Sequence, residues 1–202
     1  MGLTIYGQSG SRAIRALWMA EELGINYEHI PTRFADQAKE PEFKKINPNG
    51  RVPTIDDDGF IVWESMAVNL YLAKKYGGEL GPQNLEEDTA ATQWSFWVMT
   101  EIEKTLLQAL FHTLGILGAE KDPAAAAAAL AELDRPLEVL EAELQGKDYL
   151  VGGRFTVADL NVSSVLTFTS MVGEDLSKWP AVQAWFGRCA GREALARARE
   201  RS

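Results

Sequence analysis

Apolar residues recur at two different spacings along this chain, and the short-period signal disappears after about residue 77. Before that point, strand-like and helix-like stretches alternate. "LTIY" at the start reads as a strand. Over 12–23, Ala13, Ala16, Leu17, Ala20 and Leu23 fall on one side at helical spacing, and Gly24 follows as a stop. "NYEHIP" predicts a second strand, and "EPEFKKINPNG" a short, turn-rich connection. "RVPTIDDDGFIVW" predicts two apolar strands joined by a turn ending in Asp58-Gly59, a hairpin signal. "ESMAVNLYLAKKY" returns to the helical period. The order is βαβ, then a hairpin, then α, which predicts a small mixed sheet with helices packed on it.

The stretch "GGELGPQNLE" carries three glycines and a proline and reads as a linker over 77–86. Beyond it only helical patterns remain. "DTAATQWSFWVMTEIEKTLLQALFHTLGI" is a long helical run. "DPAAAAAALAELDRPLEVLEAELQ" starts on Asp122 as a cap with Pro123 in the first turn, and Pro136 is expected to kink or interrupt it. "FTVADLNVSSVLTFTSMV" and "WPAVQAWFGRCAGREALARARE" add further helices. Thr156 and Asp159 have the spacing of a capping box, flanked by Phe155 and Leu160 as a hydrophobic staple. The predicted organisation is an α/β domain over 1–76, a linker over 77–86 and an all-α domain over 87–202.

Composition narrows the function classes. The 202 residues are 46% hydrophobic and 24% charged, an ordinary globular balance. The net charge of −9 disfavours a general affinity for nucleic acid, which needs a basic surface. No apolar run is long enough to span a bilayer, and the N-terminus lacks the charge and apolar order of a signal peptide. The single cysteine, Cys189, forms no internal disulfide, as in a reducing compartment, so a cytoplasmic location is expected. His29 and His112 have no ligand-like neighbours, so no metal site is expected.

Two short stretches have the chemistry of a binding site. Pro53 lies where a strand should start, a position that tolerates a residue without an N–H. A cis Val52-Pro53 bond would leave the Val52 N–H and C=O facing outward for a peptide ligand to pair with, whereas a trans proline would make this a plain strand start. Glu64 and Ser65 fall at a junction of strand and helix. The helix start and the Ser65 hydroxyl suit a carboxylate, and Glu64 suits an ammonium, so together they fit an α-amino acid zwitterion. Ser65 as an N-cap beside an acidic residue is an equally physical reading.

With these pieces in place the chain resembles the cytosolic glutathione transferases over nearly its whole length. "INPNGRVPTI", "ESMAVNLYLAKKY" and "DYLVGGRFTVADL" carry the resemblance. It implies a thioredoxin-like first domain followed by a helical bundle, and a cis Val52-Pro53 bond. It also implies a glutathione site in which Val52 pairs with the cysteinyl backbone. Glu64 and Ser65 would hold the γ-glutamyl end, and Lys39 and Arg51 the glycyl end or nearby backbone, although Lys39 also fits as a solvated loop lysine. The family is usually a homodimer, and its electrophile site is expected between the domains, where Trp94, Trp97, Met99, Phe111 and His112 are candidates.

The thiol would then meet the loop "GQSGSR". Ser11 falls where bacterial, serine-type (theta-like) members keep their catalytic serine, and Ser9 is second choice. Either serine also fits as a helix N-cap. Tyr6 lies too early, inside the strand, to be the activator. A serine hydrolase is excluded because Gly7-Gln8-Ser9-Gly10 puts the second glycine of G-x-S-x-G one place too early. A dithiol oxidoreductase is excluded because the loop has no C-x-x-C. The resemblance implies a detoxifying transferase that uses glutathione as co-substrate. A glutathione-dependent peroxidase or disulfide reductase, and a non-catalytic binding or scaffold protein, stand as alternatives.

Overall fold

The computed structural model describes residues 2–201. A four-stranded mixed sheet opens the chain, built from β1 (Leu3–Tyr6), β2 (Tyr27–Ile30), β3 (Thr54–Asp57) and β4 (Phe60–Trp63). The order is β2-β1-β3-β4, with β1 parallel to β2 and antiparallel to β3, and β3 antiparallel to β4. Three helices accompany it: α1 (Ile14–Leu23), α2 (Pro41–Ile46) and α3 (Ser65–Tyr76). The rest is helical: α4 (Leu85–Trp97), α5 (Lys104–Leu114), α6 (Pro123–Ala131), α7 (Asp134–Leu144), α8 (Val157–Leu166), α9 (Thr169–Val172), α10 (Pro180–Ala190) and α11 (Glu193–Glu200). This is the thioredoxin-like α/β half followed by the all-α half.

In the first half, Leu3 and Ile5 point to one face of the sheet and are buried with Ile55, Leu17, Val68 and Leu72, where α1 packs against α3. Tyr6, on the alternate face, meets Phe43 of α2 edge-on at 5.8 Å. The hairpin closes on Asp58 and Gly59, both at positive φ (54° and 92°), as a two-residue turn twisted like its strands requires.

Three local features differ from the sequence expectation. First, α1 begins at Ile14 rather than 12, because Ser11–Ala13 form a turn in front of it. Second, the stretch expected to be turn-rich contains α2, with Pro41 at its first position, Glu42 in its first turn and Lys44 and Lys45 in its last. Third, the helix around Pro136 breaks earlier, at Glu132–Leu133, so the proline sits in the first turn of α7, where its missing N–H costs nothing.

Contacts gather the chain into two compact units, one from the N-terminus to Leu85 together with the residues from Gly191 on, the other Glu86–Ala190. The C-terminal helix α11 thus joins the first unit, packed on α1, whereas the sequence division runs the all-α domain to 202. The second unit is centred on Ile102, Leu106, Leu137, Leu140, Leu160 and Trp185. Its capping box forms: Ala158 N–H donates to Thr156 Oγ1 at 3.3 Å, and Thr156 N–H donates to Asp159 Oδ2 at 3.0 Å. Among the described residues no helix is long and apolar enough to cross a membrane.

Candidate functional site

One rung of the sheet organises the site. Ile30 pairs with Tyr6, Tyr6 with Thr54 and Thr54 with Trp63, so a single row crosses all four strands. The chain leaves or enters this row at four places: into the serine loop after Tyr6, into Pro31-Thr32 after Ile30, through Arg51–Pro53 before Thr54, and into Glu64-Ser65 after Trp63. Residues far apart in sequence therefore leave the sheet at the same end. Gly7 brings two of these segments into contact. A Cβ there would lie 2.4 Å from Ala13 Cβ and 3.0 Å from Val52 Cβ, and its φ is 131°. Only glycine fits such an approach.

The Val52-Pro53 bond is cis. The Val52 N–H and C=O make no hydrogen bond among the described residues, so they form a free edge. Behind them the loop is fixed from within: Asn47 Nδ2 donates to Arg51 O (2.9 Å) and to Thr54 Oγ1 (3.0 Å), and Thr54 Oγ1 donates to Arg51 O (3.1 Å). The Arg51 side chain is exposed and makes no ion pair among the described residues. Lys39 is committed differently. Its Nζ donates to Gly50 O at 2.6 Å, which ties the 3₁₀ turn Gln37–Lys39 to the segment before Arg51.

Glu64 is the N-cap residue of α3, with φ 71°, ψ 117° and no side-chain cap bond. A non-glycine residue at positive φ stores about 1–3 kcal/mol of strain. Its carboxylate is exposed and has no partner among the described residues. Ser65, the first helical residue, is buried, and Arg15 Nη1 donates to its Oγ at 3.1 Å. Arg15 is itself only 1% exposed. The hydroxyl therefore accepts from a buried cation and keeps its own proton for an acceptor. The uncapped first turn of α3 adds backbone N–H groups and partial positive charge. One carboxylate, one polarised hydroxyl and one helix start together can receive an ammonium and a carboxylate.

The two serines stand differently. Ser11 Oγ donates to Gln8 O at 2.7 Å and accepts from Ala13 N–H at 3.1 Å. Ser9 makes no hydrogen bond among the described residues. Tyr6 packs its ring edge-on against Phe43, and burial, then Asp56 and Glu28, push its phenol above the usual range. The Gly7 carbonyl, one residue past β1, is held by a residue with no sequence motif. His29 Nε2 donates to Gly7 O at 2.7 Å. Arg15 and His29 went unnoticed as site residues in the sequence. The one available signal for Arg15 was a lone cation among apolar positions of α1.

Of the electrophile-site candidates, Trp94 is buried in the second unit and packs edge-on against Trp97 at 4.9 Å. Met99 lies in a π-helical stretch, Val98–Glu103, while Phe111 and His112 are on α5. No group of three or more metal-ligating side chains occurs among the described residues. An open depression of about 610 Å³ lies at the opposite end of the sheet, lined by Leu3, Tyr27 and Asp58 among others, and contains none of these site residues.

Comparisons with known proteins agree on one family. Residues 1–74 match the family described as "Glutathione S-transferase, N-terminal domain", and residues 92–193 match "Glutathione S-transferase, C-terminal domain". The chain is 36% identical to glutathione S-transferase theta-1 of Mus musculus over 197 residues, covering 93% of this chain and 82% of that protein. It is 30% identical to glutathione S-transferase D6 of Drosophila melanogaster over 190 residues, covering 91% and 85%. Among solved structures it resembles the theta class glutathione S-transferase of Xanthomonas axonopodis pv. citri with glutathione bound. The TM-score is 0.89 at 32% identity, covering 100% of this chain and 98% of that one.

Proposed function

The chain belongs to the glutathione S-transferase family, and we propose that it is an enzyme that holds glutathione at the end of the sheet and activates its thiol as a thiolate for attack on a small hydrophobic electrophile. The observation that carries this reading is a set of uncommitted groups at one end of the sheet: the Val52 backbone, the Glu64 carboxylate, the Ser65 hydroxyl proton and the Arg51 guanidinium. Glutathione offers a partner for each. Its peptide backbone suits Val52, its zwitterionic end Glu64 and Ser65, and its glycine carboxylate Arg51. Lys39, bound to Gly50 O, acts by shaping the loop beneath Arg51 rather than as a free cation. Pro53 holds the Val52 edge in its outward setting.

Ser11 is the proposed thiol activator. A thiol of pKa ~8.5 is mostly protonated at neutral pH. A hydroxyl donating to the thiolate contributes roughly 1.5–3 kcal/mol, and withdrawing it from the Gln8 carbonyl costs about 1 kcal/mol. The difference lowers the thiol pKa by roughly half a unit to one and a half. The N-terminus of α1 acts in the same direction. The Ala13 N–H bond orients the Ser11 oxygen in advance. A second reading assigns the role to Ser9, because its hydroxyl is uncommitted among the described residues. The same proposal takes the protein as a cytoplasmic homodimer, supported by the family resemblance and by its single, buried cysteine.

The test is titration of the thiolate absorbance of bound glutathione, beside retention on immobilised glutathione and conjugation of a reactive aryl halide. Ser11→Ala is expected to raise the bound thiol pKa by about one unit with affinity nearly unchanged. Glu64→Ala is expected to weaken affinity more than it slows chemistry, because it holds ground and transition state alike. An unshifted titration in Ser11→Ala together with a shifted one in Ser9→Ala moves the role to Ser9. Retention without turnover moves the chain to a binding role, and turnover confined to peroxide or disulfide substrates moves it to the peroxidase or reductase reading.

A further inference from the structure

We propose that His29 is a positioning residue that sets the serine loop for thiol activation, an inference that rests on the activation reading above. Gly7 is clamped from β2 on both sides. Its N–H donates to Ile30 O at 3.0 Å, and its carbonyl accepts from His29 Nε2 at 2.7 Å. Gly7 is where the chain leaves the sheet, at φ 131°, so no strand partner is left for that carbonyl. The imidazole supplies one instead. The Nε2–H tautomer and the imidazolium both donate there, so the contact survives protonation of the ring.

The consequence passes along the backbone. The Gly7 carbonyl and the Gln8 nitrogen share one rigid peptide plane. Fixing that plane leaves only the two dihedrals of Gln8 before the next carbonyl. The Gln8 carbonyl is the group on which Ser11 rests, accepting both its N–H (3.0 Å) and its hydroxyl proton (2.7 Å). His29 thereby controls the direction of the carbonyl that competes with a sulfur for the Ser11 proton. A misplacement of an ångström or less at such a donor is enough to cost one to two orders of magnitude in rate. Arg51, Val52, Glu64 and Ser65 take no hydrogen bond from His29 or Gly7, so ground-state binding of glutathione should depend on His29 far less than the thiol does.

The experiment pairs His29→Phe with His29→Gln, whose side-chain amide nitrogen stands about where Nε2 does. Amide exchange of Ser11 is measured in the free protein, and the thiol titration and kcat/KM in the glutathione-bound protein. His29→Phe is expected to speed Ser11 exchange at least about tenfold, raise the bound thiol pKa and lower kcat about tenfold, with glutathione affinity changed less than about threefold. His29→Gln is expected to restore all three. Unchanged Ser11 exchange in His29→Phe overturns the proposal. So does faster exchange with an unshifted thiol pKa when Ser11→Ala does shift it, and so does failure of Gln to rescue a folded protein. If Ser11→Ala itself leaves the thiol unshifted, the activation reading fails, while the exchange measurement still decides whether His29 holds the loop.

Discussion

Gly7 shows how much of this site depends on single residues. It combines positive φ with a close approach to Ala13 and Val52. Gly7→Ala is therefore expected to destabilise the protein by about 2–4 kcal/mol in urea unfolding, through backbone strain and overpacking together. Gly10→Ala, three residues on, meets nothing within 4 Å and should leave the unfolding midpoint unmoved. Legibility at this scale followed locality. Val52-Pro53 and Glu64-Ser65 could be singled out as candidates because they lie in neighbouring residues at a strand start and a helix start, but the cis bond followed only from the family resemblance. His29 and Arg15 could not. Their partners, Gly7 and Ser65, lie 22 and 50 positions away, and a lone histidine or arginine carries no motif that names a distant acceptor. The division between the serines was equally hidden, because only the folded loop brings the Gln8 carbonyl to the Ser11 hydroxyl.

Among the elements, α8 is the one whose start the sequence specifies most tightly. Asp159 lies buried and does more than close the capping box. Its carboxylate also accepts from Leu150 N–H at 2.9 Å and from Trp185 Nε1 at 2.8 Å. Thr156→Ala is expected to cost about 1–2 kcal/mol, the usual value of a cap. Asp159→Ala should cost about 3 kcal/mol or more, because it strands several buried donors. Urea unfolding of the two variants checks the order, and equal losses would mean that Asp159 is only a cap. Two elements escaped the sequence. Helix α2 has six residues and one buried side chain, Phe43, too little for a period to register. The π-helical stretch Val98–Glu103 sits inside an apolar spacing that reads as unbroken α-helix. There the Thr100 hydroxyl lies within hydrogen-bond range of two carbonyls, Phe96 O at 3.2 Å and Trp97 O at 3.3 Å, which a side-chain pattern does not announce.

For the molecule as a whole, the return of α11 to the first unit rests on carboxylates of α1 paired with arginines within and flanking α11. Glu22, 5% exposed, receives a bidentate Arg192 at 2.6 and 2.8 Å and the Trp18 indole at 2.8 Å. Glu21 receives Tyr27 Oη at 2.8 Å, Arg197 Nε at 3.1 Å and Arg201 Nε at 3.0 Å. Burial alone would raise the Glu21 pKa, but the hydrogen bonds from Tyr27, Arg197 and Arg201 outweigh it and hold it below the usual range. Asp57 is lowered in the same way against its own burial, by Lys75, Tyr71 and Tyr76. A depressed carboxylate stabilises the folded state above its unfolded pKa, about 4, and that contribution is lost as pH falls through the lower folded value. Urea midpoints should thus fall steeply below about pH 4, and Glu21→Gln should flatten that fall. An unchanged acid limb in the variant would remove Glu21 from the account. The sequence by itself determined the order of the strands, the change from α/β to all-α, the hairpin turn and the cap of α8. Each of these rests on residues within a few positions of one another, where periodicity and turn chemistry act. Only the tertiary structure decided that α11 closes on α1, that Arg15 lies under Ser65 and that His29 holds Gly7. Those contacts join segments whose spacing in the chain says nothing about their distance in space, and it is the pairing of four strands into one rung that brings the site's residues to the same end of the sheet.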